Sequence, residues 1–184
     1  MVVLLLFIAL ALAGGSARAT PLDDAKTAVE ASDYLKAKAA LAEALASGTN
    51  GRDDLAEIYR LSGIVAGALG DPKAATAAFQ RALSLSPSVA LPRGTSPKIG
   101  RPFAAAQDLA KKAGGPLEIK SETQEDPPAV TVIVVADPLQ MIARVRATVV
   151  VDGKPEQSFD RPASERTMIE LPVGARLDVR VAVL

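Results

Sequence analysis

The stretch from Ala56 to Ser88 constrains the fold of this chain more than any other part of it. Small and aromatic residues recur there at helical spacing, in the order Tyr59, Gly63, Ala75, Phe79 and Ala82. Gly70 suits the C-terminus of a first helix, and Asp71-Pro72 supplies a cap and a first-turn proline for a second helix. Small residues let two helices cross closely, and Phe79 fills the gap between them. The pattern therefore predicts a tightly packed helical hairpin.

This hairpin resembles a tetratricopeptide (TPR) repeat, a helix–turn–helix unit of about 34 residues. The matching positions are Tyr59, Gly63, Ala75, Phe79, Ala82 and Pro87. Two positions depart from the family pattern, because Ser62 stands where a Leu is usual and Ala66 where a Tyr is usual. The alternative interpretation is a generic alanine-rich hairpin. The resemblance implies a protein-binding mode of action and leaves the partner open.

A degenerate repeat is predicted over residues 20–49, before the good repeat at 56–89. Thr20-Pro21 starts its first helix and Asp33 its second, and three positions of the second helix match the good repeat: Ala37, Leu41 and Ala44. A further helix over 96–113, starting at Ser96-Pro97, is expected to cap the repeat, because the end of a repeat array otherwise exposes apolar surface. The helical domain is thus assigned to residues 20–113.

The second half of the chain changes character. Residues 114–128 are predicted to form a polar linker, with at most a short strand at Leu117–Lys120. From Ala129 onward the apolar period is two, which predicts about five strands. Asp152-Gly153 and Pro172-Val173-Gly174 are expected to form turns. The fold class predicted is α+β in two parts: a short TPR-type hairpin array with a capping helix, then a small antiparallel β-sandwich.

The β module at 129–184 resembles immunoglobulin or fibronectin type III domains in pattern. The phrases Val150-Val151-Asp152-Gly153-Lys154 and Leu171-Pro172-Val173-Gly174 are also similar to short bacterial PEGA modules. Either Val179–Leu184 forms the terminal strand of this module, or the module lacks strands that a longer relative has. A missing strand would leave an open edge that is able to accept a strand from a partner.

The N-terminal segment is predicted to be a secretory signal peptide over residues 1–19. Val2–Ala13 is an apolar run, and Ala17-Arg18-Ala19 provides an A-x-A cleavage site. No Lys or Arg precedes the apolar run. Cleavage after Ala19 places the protein in the periplasm or outside the cell, whereas an uncleaved segment would act as a membrane anchor.

The composition argues against most other functions. Lys and Arg number 21 and Asp and Glu number 21, so a nucleic-acid surface is not expected. The chain has no Cys, which excludes a lipid anchor of the bacterial lipoprotein type, and no His, the commonest general base and metal ligand. We therefore predict no enzymatic activity, no catalytic residues, no cofactor and no metal.

The TPR resemblance implies a binding groove lined by the first helix of each repeat. Its predicted residues are Glu57, Arg60, Ile64 and Ala68 in the good repeat, with Lys26, Val29, Glu30 and Leu22 in the degenerate one. Arg60 and Lys26 are candidates to pair with a peptide carboxylate. The alternative is that these are ordinary solvated charges.

The function predicted is a non-enzymatic scaffold for protein–protein interaction in a bacterial cell envelope. The alternative is a cell-wall or polysaccharide binder that acts through the β module. Sugar binding favours exposed aromatic side chains, and only Phe159 is aromatic beyond residue 103. A third possibility is a fragment of a larger envelope protein.

Overall fold

Over the residues that the structure describes, the chain is a mixed α+β protein in which five helices precede an antiparallel sheet region. This confirms the predicted fold class at that level. The computed structural model describes residues 20–48, 50–151, 156–172 and 177–183. The predicted signal peptide at 1–19, the Asp152-Gly153 turn and Val173-Gly174 of the second turn lie outside the described residues.

Local capping sets the starts of most of the helices. The helices are α1 (Pro21–Glu30), α2 (Tyr34–Ala46), α3 (Arg52–Ala68), α4 (Pro72–Leu85) and α5 (Pro97–Lys112). Thr20, Asp33, Asp71 and Ser96 each accept a backbone N–H of the first turn with a side-chain oxygen, which satisfies donors that have no intrahelical partner. Gly70 ends α3 in the left-handed region, with φ of 86°. The predicted helix starts at Thr20-Pro21, Asp33 and Ser96-Pro97 are therefore confirmed.

One apolar core joins all five helices. Phe79 is completely buried, and its ring contacts the Phe103 ring edge to face at 5.1 Å. The ring also lies directly on Gly63, where an added Cβ would come within 2.7 Å of Phe79 Cζ. The other positions matched between the two hairpins are buried as well: Ala37, Leu41, Ala44, Ala75 and Ala82.

The sheet region contains two three-stranded antiparallel sheets. The strands are β1 (Glu118–Glu125), β2 (Pro128–Ala136), β3 (Arg144–Val151), β4 (Gln157–Pro162), β5 (Arg166–Glu170) and β6 (Leu177–Val183). Their order is β1-β2-β5 in one sheet and β4-β3-β6 in the other. The two sheets share one buried cluster, made by Val130, Val132, Val145, Ala147 and Ile169. Thr167 and Ile169 lie on the inner face of β5, and Leu171, which directly follows the strand, packs against the same cluster, as their alternation predicts.

The structure differs from the prediction over residues 114–128, where most of the predicted linker is strand β1. This strand is largely polar, and all but one of its residues are exposed. It is a strand because it pairs along its length with β2, from Glu118 opposite Ala136 to Glu125 opposite Pro128. An edge strand in contact with water needs no apolar period, so the sequence pattern missed it.

Arg52 joins the helical part to the sheets. Its Nε donates to the Leu85 carbonyl at the end of α4, and its Nη2 donates to the Leu117 carbonyl just before β1, both at 2.7 Å. The Leu117 N–H in turn donates to the Ser84 carbonyl at 2.8 Å. Leu85 and Leu117 are buried together with Ala56 in a small cluster at this junction.

We expect Arg52→Ala to lower the free energy of unfolding by about 1–2 kcal/mol, because two charge-assisted hydrogen bonds are lost. The Leu117 amide should also exchange with solvent faster, and hydrogen exchange measures this directly. Arg93→Ala is the control, since Arg93 is exposed and its side chain makes no hydrogen bond to the described part of the chain. Equal exchange at Leu117 in both variants would contradict a bridging role for Arg52.

Candidate protein-interaction surface

Helices α1 and α3 bring three of the predicted groove residues together. Glu57 and Arg60 lie one turn apart on α3, and Lys26 of α1 is close enough to stabilise the Glu57 carboxylate electrostatically. The Lys26 Nζ atom also lies 3.8 Å from the Asp23 Oδ1 atom of its own helix. All of the predicted groove residues lie on these two helices, and we call them the α1–α3 surface: Leu22, Lys26, Val29, Glu30, Glu57, Arg60, Ile64 and Ala68.

Arg60 and Glu57 form a two-pronged ion pair. The Arg60 Nε and Nη2 atoms each donate to a Glu57 carboxylate oxygen at 2.7 Å. The side chains are 18% and 29% exposed, so water screens the pair only in part. The hydrogen bonds from Arg60 lower the pKa of Glu57 despite its partial burial, and those same bonds raise the pKa of Arg60.

The remaining predicted residues differ in how much surface they offer. Glu30 is exposed, whereas Val29 and Ala68 are half-buried against the helical core. Leu22 and Ile64 are each only 8% exposed and belong to that core. The polar part of this surface is therefore made by Lys26, Glu30, Glu57 and Arg60.

The ion pair with Glu57 does not use all of the N–H donors of Arg60. Its Nη1 makes no hydrogen bond to the residues that the structure describes. The Lys26 side chain is 43% exposed and its Asp23 contact is long. Arg60 Nη1 and the Lys26 ammonium group therefore both keep N–H donors that make no hydrogen bond within the described part of the chain.

Glu57→Gln is expected to reduce the loss of stability in acid. The folded-state pKa of Glu57 is depressed, so its stabilising contribution is present above the unfolded-state value of about 4.3 and disappears as pH falls through the folded-state pKa. The parent should lose about 0.5–1 kcal/mol more than the variant between neutral pH and full protonation of Glu57. Urea unfolding at both pH values measures the difference. Asp108→Asn is the matched control, because it removes an ion pair of the same i,i+3 spacing that is exposed and therefore contributes little to stability.

The described residues also bear on two other kinds of site, a metal site and a sugar-stacking aromatic ring. No three acidic side chains there are grouped so that they could hold a metal ion. Phe159, the candidate sugar-stacking ring, is half-buried against the cluster shared by the two sheets. Its ring therefore offers little free surface to a sugar.

Arg52 is the structurally important residue that the sequence interpretation missed. Its position contained a signal, because a cation at the first residue of a helix opposes the helix dipole. Such a residue needs another partner, which Arg52 finds in the carbonyls of Leu85 and Leu117.

Comparison of the chain with protein-family models, with curated proteins and with solved structures finds no match. Among residues 20–48, 50–151, 156–172 and 177–183, no helix has both the length and the apolar character needed to cross a bilayer.

Proposed function

We propose that this chain is a non-enzymatic scaffold of the TPR type that binds a protein segment on its α1–α3 surface. The observation that carries the proposal is the shared packing of two consecutive hairpins. In each, the equivalent small and large positions of the second helix are buried: Ala37, Leu41 and Ala44 in one, Ala75, Phe79 and Ala82 in the other. A repeat architecture of this kind presents its first helices side by side as a binding surface.

The charges of that surface support a peptide ligand with an acidic group. Glu57 fixes the direction of the Arg60 guanidinium, so little side-chain entropy remains to be lost when a carboxylate binds. Lys26, on the neighbouring helix, supplies the second cation. The proposal includes a secreted or periplasmic location, supported by the apolar run and the A-x-A site of residues 1–19.

The sheets are proposed to form a small β-sandwich that docks on a second surface. The support is the buried cluster to which both sheets contribute. The Arg52 bridge and the small cluster around Leu117 hold this module against the helices. The scaffold would then present its two parts in a fixed relation to one another.

Affinity capture from envelope extract tests the proposal. The parent chain, Arg60→Gln and Lys26→Gln are compared with Arg81→Gln, an exposed arginine on α4 that lies over the Tyr59 ring. A specific protein retained by the parent and by Arg81→Gln, and lost or reduced at least about tenfold by the other two variants, supports the α1–α3 surface. Melting temperatures close to the parent's show that each variant is folded.

Two outcomes would contradict this assignment. Equal retention of one partner by all four proteins would place the interaction in the sheets or elsewhere. Retention of cell-wall material alone would favour the polysaccharide-binding alternative.

A further inference from the structure

A cleft between α2 and α4 opens on a different part of the helical domain from the α1–α3 surface. It has a volume of about 300 Å³, and α3 forms its floor. We call it the α2–α4 cleft; its lining residues are Lys38, Leu41, Ala42, Leu45, Ser62, Val65, Ala66, Leu69, Asp71, Ala74 and Ala78.

The surface of this cleft is unusually apolar for a surface in contact with water. Leu45 and Leu69 line it and are 37% and 46% exposed. Leu35 is 73% exposed and precedes Lys38 and Ala42 by three and seven residues, which places it on the same face of α2. Alanines make up much of the rest of the wall, so another helix can approach the backbone closely. Clustered apolar exposure of this kind marks an interaction surface.

Only two charged residues line the cleft, and they have opposite signs. Lys38 is on α2 and Asp71 caps α4, where its carboxylate accepts the Ala74 N–H at 2.9 Å. Neither forms a salt bridge with another residue that the structure describes. The other charged residues of α2, Lys36 and Glu43, do not line the cleft.

This charge arrangement is complementary to itself. A two-fold contact uses the same patch on both subunits, which allows Lys38 of one subunit to face Asp71 of the other and the reverse pair to form as well. The exposed leucines of α2 in one subunit then pack against the alanine-rich wall of the cleft in the other subunit. From this geometry we infer that the α2–α4 cleft is the interface of a homodimer. The α1–α3 surface remains free for a partner, so the dimer would present two binding surfaces.

Sedimentation velocity and light scattering of the purified full chain test the inference. The expected result is twice the mass of one chain at high micromolar concentration, with dissociation on dilution. A chain that stays monomeric at the highest concentration overturns the inference. It is also overturned if the cleft binds a different protein while the chain itself stays monomeric.

Leucine variants locate the interface. Leu45→Glu and Leu69→Glu should each weaken dimerisation at least about tenfold, because a carboxylate would be buried without a partner. Leu109→Glu is the matched control, since Leu109 is 42% exposed on α5 and does not line the cleft. Dimers of equal strength in all three variants would overturn the assignment of the interface to this cleft.

Charge exchange tests the pairing itself. Lys38→Glu and Asp71→Lys should each weaken self-association, because each places like charges opposite one another. An equimolar mixture of the two variants should recover the parent's affinity as a heterodimer, since the carboxylate introduced in one chain then meets the ammonium introduced in the other. Asp71→Lys also loses the α4 cap, so its melting temperature is measured alongside. Failure of the mixture to associate better than either folded variant alone would overturn the Lys38–Asp71 pairing.

The assignment of the dimer interface and the assignment of the partner-binding surface can be contradicted separately. Arg60→Gln and Lys26→Gln should not change the mass, because neither residue lines the cleft. Loss of the partner with an unchanged dimer would therefore separate the two surfaces.

Discussion

Phe79→Ala is expected to lower the free energy of unfolding by about 3–5 kcal/mol, the largest effect of any single change considered for this chain. Phe79 is completely buried, and the deletion leaves a cavity where α3, α4 and α5 meet. Phe103 also loses its edge-to-face partner at 5.1 Å. Native domains are stable by only about 5–15 kcal/mol, so this loss removes a large part of the free energy of unfolding.

Urea unfolding followed by far-UV circular dichroism measures this loss. Phe159→Ala is the control, because Phe159 is a half-buried phenylalanine of the sheet region and should cost less. A loss below about 1 kcal/mol for Phe79→Ala would contradict the packing of its ring at the centre of the helical core.

Gly63→Ala is expected to lower the free energy of unfolding by about 2–3 kcal/mol, although alanine is the better helix former. A Cβ at this position would lie within 2.7 Å of Phe79 Cζ and still closer to two other ring atoms. The ring is fully buried, so any movement away from the new Cβ would have to displace neighbouring core side chains. Either the ring leaves its rotamer or α3 and α4 separate.

Gly100→Ala provides a control of opposite sign. Gly100 lies inside α5, and a Cβ there would meet nothing within 4 Å. This variant should therefore gain up to about 1 kcal/mol from helix propensity alone. The double variant Gly63→Ala with Phe79→Leu should lose less than the sum of its single changes, because the smaller side chain relieves the overlap. Additive losses would show that Gly63 and Phe79 are not coupled.

Much of the helical part follows from the sequence because its determinants are local. Three helices are capped by side chains that lie only two or three residues before the backbone N–H groups from which they accept, namely Asp33, Asp71 and Ser96. The close approach of α3 and α4 was also predictable, since Gly63 and Phe79 stand at a spacing that brings them together across a hairpin. The pairing of Glu57 with Arg60 was within reach too, because residues three apart on a helix are neighbours.

The solvent exposure of the predicted groove residues was less predictable than their positions on the helices. Helical spacing placed Ile64 on the same face as Arg60, but the packing of the neighbouring helices decides how much of each side chain remains exposed. Ile64 is only 8% exposed, whereas the Arg60 side chain is 18% exposed. Sequence periodicity alone does not distinguish the rim of a groove from its floor.

The sequence by itself determined where most of the helices begin, which residues are small at the helix crossing, and that strands follow helices. Only the tertiary structure decided that residues 118–125 form a strand, that Arg52 ties α4 to β1, and that Leu45 and Leu69 line one cleft. The physical reason is the range of the interactions. Caps and helical spacing act over a few residues, whereas a polar edge strand, an interdomain hydrogen bond and an exposed apolar face depend on segments that are distant in the chain.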